Sequence, residues 1–137
     1  MTTEKKLKYN EPWILQRADP YVYRHVDGFY YFTASVPAYD GIVLRRAGSL
    51  EELPETEEVM IWKKHESGPM SYHIWAPEIH YLFGKWYIYF AGGEKEDIWK
   101  IRPYVLECSG DDPLTDEWVE LGKMKRAAED EFSFEAF

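Results

Sequence analysis

Phe29-Tyr30-Tyr31-Phe32-Thr33-Ala34 and Trp86-Tyr87-Ile88-Tyr89-Phe90-Ala91 are one aromatic strand written twice, fifty-seven residues apart. Upstream, Pro20 and Val22 recur at the same spacing as Pro77 and Ile79. Downstream, Pro54, Thr56, Glu57, Glu58 and Val59 return as Pro113, Thr115, Asp116, Glu117 and Trp118, now fifty-nine residues on, which puts a net two-residue insertion in the second copy. A repeat of this length, made of short aromatic strands, has the size of a propeller blade.

Each copy divides into four short strands separated by turn chemistry. In the first copy they fall at 21–25, 29–35, 42–46 and 59–63, and in the second at 78–82, 86–91, 104–107 and 118–121. Asp27-Gly28 marks a hairpin between the first two strands, and Gly84 stands at the matching turn. The second strands are continuously apolar, a pattern that fits burial on both faces between neighbouring sheets. Pro103, Gly110 and Pro113 break any long helix in the second copy, and only a turn around 49–53 reads as helical.

The expected fold is all-β: one partial propeller domain over 1–137, with a first blade at about 18–64, a second at about 72–124 and the start of a third at 130–137. Phe132, Phe134 and Phe137 open a further aromatic strand that no turn or charged tail closes. Two repeats leave two apolar faces uncovered, and repeat architectures usually need three or more units. The expectation is a fragment of a ring of roughly five units, or a chain that self-associates through its exposed blade faces.

Composition narrows the function. The 137 residues are 45% hydrophobic and 30% charged, and no apolar run is long enough for a spanning helix, so no membrane partner is expected. A formal net charge of −9 opposes binding to phosphate backbones, so nucleic acid is not an expected partner. The polar start, 1–8, lacks the apolar stretch of a secretory leader and reads as cytoplasmic. Cys108, the only cysteine, reads as a buried thiol, and the four histidines lack metal-ligand spacing, so no metal and no cofactor are expected.

The first strand of each propeller blade lines the central channel, which directs attention to the residues just ahead of it. These are Asp19 in Arg17-Ala18-Asp19-Pro20 and Trp75 in Trp75-Ala76-Pro77-Glu78. A carboxylate that activates water beside an indole that stacks on a sugar ring suits a carbohydrate site. Asp before Pro is equally a turn initiator. Asp40 and Tyr39, after the second strand, are further candidates for sugar hydroxyls, although a turn before Gly41 explains Asp40 as well. His73 and Tyr72 lie in the loop ahead of Trp75 and either line the pocket or hydrogen-bond within the loop. Trp62, Trp86, Trp99 and Trp118 read as packing between blades.

Several ordered stretches carry a family resemblance: Ala18-Asp19-Pro20, Thr33-Ala34-Ser35, His73-Ile74-Trp75-Ala76-Pro77-Glu78-Ile79-His80 and Gly84-Lys85-Trp86-Tyr87-Ile88-Tyr89-Phe90-Ala91. Together they resemble glycoside hydrolase family 43, and the runs at 42–46 and 64–72 are similar to its α-L-arabinofuranosidase branch. The resemblance implies a five-bladed β-propeller, of which this chain supplies about two four-stranded blades, and an inverting hydrolase of arabinose- or xylose-containing glycans. It implies that Asp19 is the general base and Trp75 a sugar-binding aromatic, and it gives Glu78 a position distinct from the general acid. The family's second aspartate and its acid match no residue here, so the expectation is a portion inactive by itself. The alternative is a non-catalytic carbohydrate-binding module. A scaffold propeller ranks third, since Gly-His and Trp-Asp blade signatures do not occur.

Overall fold

The computed structural model describes Ile14 and residues 16–124 as two four-stranded antiparallel sheets. The first sheet runs in chain order through β1 (Ala18–Arg24), β2 (Tyr30–Ser35), β3 (Gly41–Ala47) and β4 (Val59–Lys63), with a single 3-10 turn at Leu53–Glu55 before the last strand. The second runs through β5 (Pro69–Leu82), β6 (Lys85–Glu94), β7 (Asp97–Cys108) and β8 (Val119–Lys123). Among the described residues there is no α-helix.

Turn chemistry sets both first hairpins. In the first, Asp27 accepts from the Phe29 N–H and the Tyr31 hydroxyl, both at 2.9 Å, while Gly28 takes φ +91°. In the second, only Phe83 and Gly84 connect the strands, and both have positive φ (54° and 80°), as a type I′ turn requires.

The sheets pack face to face. Tyr31, Ile42 and Leu44 of the first meet Ile79, Trp86, Ile88, Phe90 and Leu106 of the second in one buried cluster. Phe32, Ala34 and Ala47 face away from it, into a second cluster with Ile14 and Leu53. Strand β2 is accordingly buried on both faces, as its apolar run predicts. Strand β6 is not: Trp86, Ile88 and Phe90 are buried, whereas Tyr87 and Tyr89 on its other face are only partly covered.

The registers show why the sequence repeat aligns β6 imperfectly. Val22 pairs with Phe32 in the first sheet, but Ile79 pairs with Ile88 in the second, so the inner strands match at fifty-seven residues and the next strands at fifty-six. The shorter turn removes one residue, and a one-residue slip exchanges the faces of a strand. Phe29, matched to Trp86 by sequence, therefore lies outside β2 and is 43% exposed, while Trp86 is 1% exposed. Strands β5 and β7 also extend well beyond the expected 78–82 and 104–107: β5 begins at Pro69, with Met70 and Ile74 in the core cluster, and β7 begins at Asp97. The expected third-blade strand at 130–137 lies outside the described residues.

Polar contacts also join the two sheets. Arg46 donates to Asp112 at 2.9 Å, and the Trp62 indole and His65 both meet Oε2 of Glu120, at 2.8 and 2.7 Å. Cys108 is buried, and burial pushes its thiol up.

Candidate functional site

Asp19 sits in β1 at the end of the sheets where the β2–β3 connection and the β6–β7 hairpin also lie. Its backbone is left-handed (φ 50°), and the β1–β2 register shifts between Ala18 and Tyr21. A bulge at this point re-aims the carboxylate out of the sheet. Oδ2 accepts from the Ser35 hydroxyl at 2.9 Å, and the Ser35 oxygen in turn accepts from the Ala76 N–H at 2.8 Å. One buried serine thus ties the carboxylate of the first sheet to the backbone beside Trp75 in the second. The other carboxylate oxygen, Oδ1, has no hydrogen bond among the described residues and is available to orient a water.

Strained backbone concentrates here. Gln16, Asp19, Tyr39, Met70, His73 and Ala76 all have positive φ without being glycine, and three register shifts interrupt β5 between Pro69 and Glu78. Such residues each cost on the order of 1–3 kcal/mol and persist where surrounding structure holds them. The holding contacts include the Ile74 N–H to the Tyr39 carbonyl at 3.0 Å, which fastens β5 to the loop after β2.

A salt-bridge clamp stands two residues before Asp19. Arg17 donates to both oxygens of Glu58, at 3.0 and 2.5 Å, and Arg45 adds a contact at 3.2 Å while also capping the Leu53 and Pro54 carbonyls. Burial by itself would raise the Glu58 carboxyl, but hydrogen bonds and charge from Arg17, then Arg45, hold it below its ordinary value. The clamp fixes the chain entering β1.

Asp19 and Glu78 line one shallow concavity of about 240 Å3 with Pro20, Tyr21, Ala76 and Pro77. Glu78 also lies 3.5 Å from His80, and burial, followed by the Glu78 charge, raises the Tyr21 phenol. Trp75 and His73 stack at 4.6 Å with planes 13° apart, and Tyr39 meets Trp75 edge-on at 5.4 Å. The Trp75 indole nitrogen is buried and lacks a hydrogen-bond partner. His73 Nδ1 lies 3.1 Å from the Ile98 carbonyl. A carbonyl only accepts, so Nδ1 carries the proton and Nε2 is left for other partners.

Asp19, Glu78, Trp75 and His73 are thus brought to one end of the molecule. Asp40 is adjacent through Tyr39, and its backbone carbonyl accepts from the Lys64 N–H at 3.0 Å; it does not line the concavity that Asp19 and Glu78 share. Sequence reading missed Ser35, whose only signal is a hydroxyl at the end of an otherwise apolar strand, and it misassigned Trp99. Trp62, Trp86 and Trp118 do pack in or against the core, whereas Trp99 is 70% exposed at the tip of the β6–β7 hairpin.

The model of glycosyl hydrolases family 43 matches residues 9–137. An extracellular exo-α-(1→5)-L-arabinofuranosidase of Streptomyces avermitilis is 54% identical over 116 residues, 85% of this chain and 24% of that protein. Its namesake from Streptomyces chartreusis is 51% identical over 128 residues, 93% of this chain and 39% of that protein. The crystal structure of an α-L-arabinofuranosidase from Lactobacillus brevis superposes with a TM-score of 0.78 at 48% identity, covering 87% of this chain and 39% of that one. The chain spans between a quarter and two-fifths of these proteins' lengths. Two of them are named extracellular, which overturns the cytoplasmic expectation and points to secretion. The physical error was to read a compartment from the polarity of 1–8, since a secretory leader is removed from a mature protein and such a stretch therefore fixes no compartment.

Proposed function

Because the chain belongs to glycosyl hydrolases family 43 and its two sheets are two blades of that family's five-bladed β-propeller, we propose that it forms the base-bearing part of an inverting α-L-arabinofuranosidase. Its glycosidase character and arabinose-containing substrates rest on relatives that share about half its residues. The observation that carries the assignment of the base is the Asp19–Ser35–Ala76 bridge, which holds one carboxylate oxygen of an exposed aspartate against the backbone next to Trp75.

In an inverting reaction a carboxylate deprotonates the water that attacks the anomeric carbon, while an acid roughly 6.5–9.5 Å away protonates the departing oxygen. Asp19 takes the first role in this proposal. The ring of Trp75 supports the sugar, His73 fixes that ring from behind, and Glu78 and Asp40 contact sugar hydroxyls. The acid belongs to blades that this sequence does not supply, so these two blades alone turn over negligibly. Each half of the acid–base pair contributes about 10²–10⁴ in rate.

Hydrolysis of p-nitrophenyl α-L-arabinofuranoside tests the assignment. The 137 residues alone are expected to show at most weak turnover; adding the remaining blades restores activity, and Asp19→Asn then removes it by about 10²-fold or more. Full activity of the short chain, unchanged by Asp19→Asn, would refute the base and the missing acid together. The runner-up, a non-catalytic sugar-binding module, is favoured by the row of rings around Trp75. Sugar affinity that survives Asp19→Ala in a protein without turnover would establish it.

A further inference from the structure

A second concavity, of about 470 Å3, lies between the β4–β5 connection and strands β6, β7 and β8, and shares no lining residue with the one at Asp19. Its construction follows from strand geometry. Lys100, Arg102 and Tyr104 alternate along β7 onto one face, and Lys123 pairs with Tyr104 from β8 and so shares that face. Tyr104 belongs to the inter-sheet core together with Met70, whereas Lys100 and Arg102, further along the same face, do not. The core thus forms the floor of the cavity and three cations line its walls.

The chain has a net charge of −9, so three cations around one cavity run against its composition. Lys100 is compensated, since its Nζ lies 3.5 Å from Oε2 of Glu94, the one carboxylate of the lining. Arg102 and Lys123 form no ion pair among the described residues. Arg102 donates from Nη1 to the Ile101 carbonyl at 2.9 Å, which leaves the rest of its guanidinium fork to meet a ligand. Burial, then the charge of Glu94, pushes the Tyr104 phenol up while Arg102 opposes them, so both charged groups act on the cavity floor. His65, fixed by Glu120 at 2.7 Å, forms a further part of the wall.

We propose that this cavity binds a hexuronate unit of an acidic polysaccharide, with its carboxylate on Arg102 and Lys123 and its ring over Met70 and Tyr104. A guanidinium fork matches a carboxylate through two parallel hydrogen bonds, and the C–H face of a pyranose packs on apolar and aromatic surface. Glu94 accepts from the sugar hydroxyls, and the cavity is far roomier than a small inorganic anion needs. The choice of a sugar rests on the glycosidase reading above, whereas the choice of an anion rests on the cavity itself.

Calorimetric titration of the protein carrying all five blades tests the site with D-glucuronate and D-galacturonate, each against its neutral parent hexose, which has a hydroxymethyl group in place of the carboxylate. At least one uronate is expected to bind about tenfold more tightly than its parent, and Arg102→Ala to weaken it about tenfold. Lys123→Ala, at an exposed position where folding is not at stake, should weaken it about threefold. Hydrolysis of p-nitrophenyl α-L-arabinofuranoside stays unchanged in both variants. Absence of uronate binding, equal affinity for uronate and parent, or uronate affinity untouched by both substitutions would each overturn the site. Inorganic phosphate binding as tightly as either uronate would overturn the sugar as occupant. Uronate binding that depends on Arg102, in a protein that fails to hydrolyse the aryl arabinoside, would sustain this site and defeat the glycosidase reading instead.

Discussion

Strands β2 and β6 are copies of one sequence and occupy equivalent places in their sheets, yet they are buried differently. Tyr31 and Phe32 point to opposite sides of the first sheet and each is enclosed, one by the inter-sheet core and the other by Ile14, Ala47 and Leu53. In β6 the core takes Trp86, Ile88 and Phe90, and the intervening Tyr87 and Tyr89 keep polar company: Tyr87 donates to Glu107 at 2.9 Å and Tyr89 lies edge-on to His80. A strand's burial is thus decided by what lies on each side of its sheet, not by its own residues.

Substitution along the two strands sharpens that contrast. Tyr31→Ala and Phe32→Ala are expected to cost about the same, roughly 3–5 kcal/mol each, because both faces of β2 are packed. Phe90→Ala should cost a similar amount, while Tyr89→Ala beside it costs about 1 kcal/mol. Denaturant unfolding of the four variants is the measurement, and equal losses at Phe90 and Tyr89 would break the comparison. The same open face predicts self-association of the 137 residues, read by light scattering; a dilutable 16.3 kDa monomer would count against it.

The polar contacts give smaller effects. Glu58→Gln leaves Arg17 and Arg45 without their shared carboxylate and is expected to cost about 2 kcal/mol. Because the Glu58 carboxyl titrates below its ordinary value in the folded protein, its contribution is complete above about pH 4.5 and is lost as pH falls through the lower, folded value. A pH series of thermal unfolding should show that acid-side loss in the parent protein and a shallower one in Glu58→Gln. The contact of Glu120 with His65 and Trp62 joins the outer edges of the two sheets at the half-exposed surface, so Glu120→Gln should cost under about 1 kcal/mol and lose most of that effect in high salt.

Much of the site could be read before any coordinates. Asp19 and Trp75 precede the matched prolines Pro20 and Pro77 by one and two residues, and the spacing of the repeat alone puts them at the same end of adjacent sheets. Ser35 could not be read in the same way. Its role depends on two partners, 16 and 41 residues distant, and nothing local distinguishes it from any hydroxyl that ends a strand. Trp99 was grouped with three tryptophans that pack although it lies outside the expected strands, and only the tertiary structure, in which β7 begins at Asp97, shows it 70% exposed.

By itself the sequence determined what depends on local pattern: the doubled unit, four strands in each copy, their turns, and the carboxylate and indole just ahead of the matched prolines Pro20 and Pro77. Those features follow from turn chemistry and the two-residue period of a strand, which act over a few residues at a time. The tertiary structure alone decided which face of β6 meets the core, since a turn shorter by one residue moves Trp86 inward and Phe29 has no such place. It also decided that Asp19 is held through Ser35 to the neighbouring sheet and that Trp99 faces solvent. These outcomes belong to contacts between segments far apart in the chain, where packing of one sheet on another selects among arrangements that local preferences leave equal.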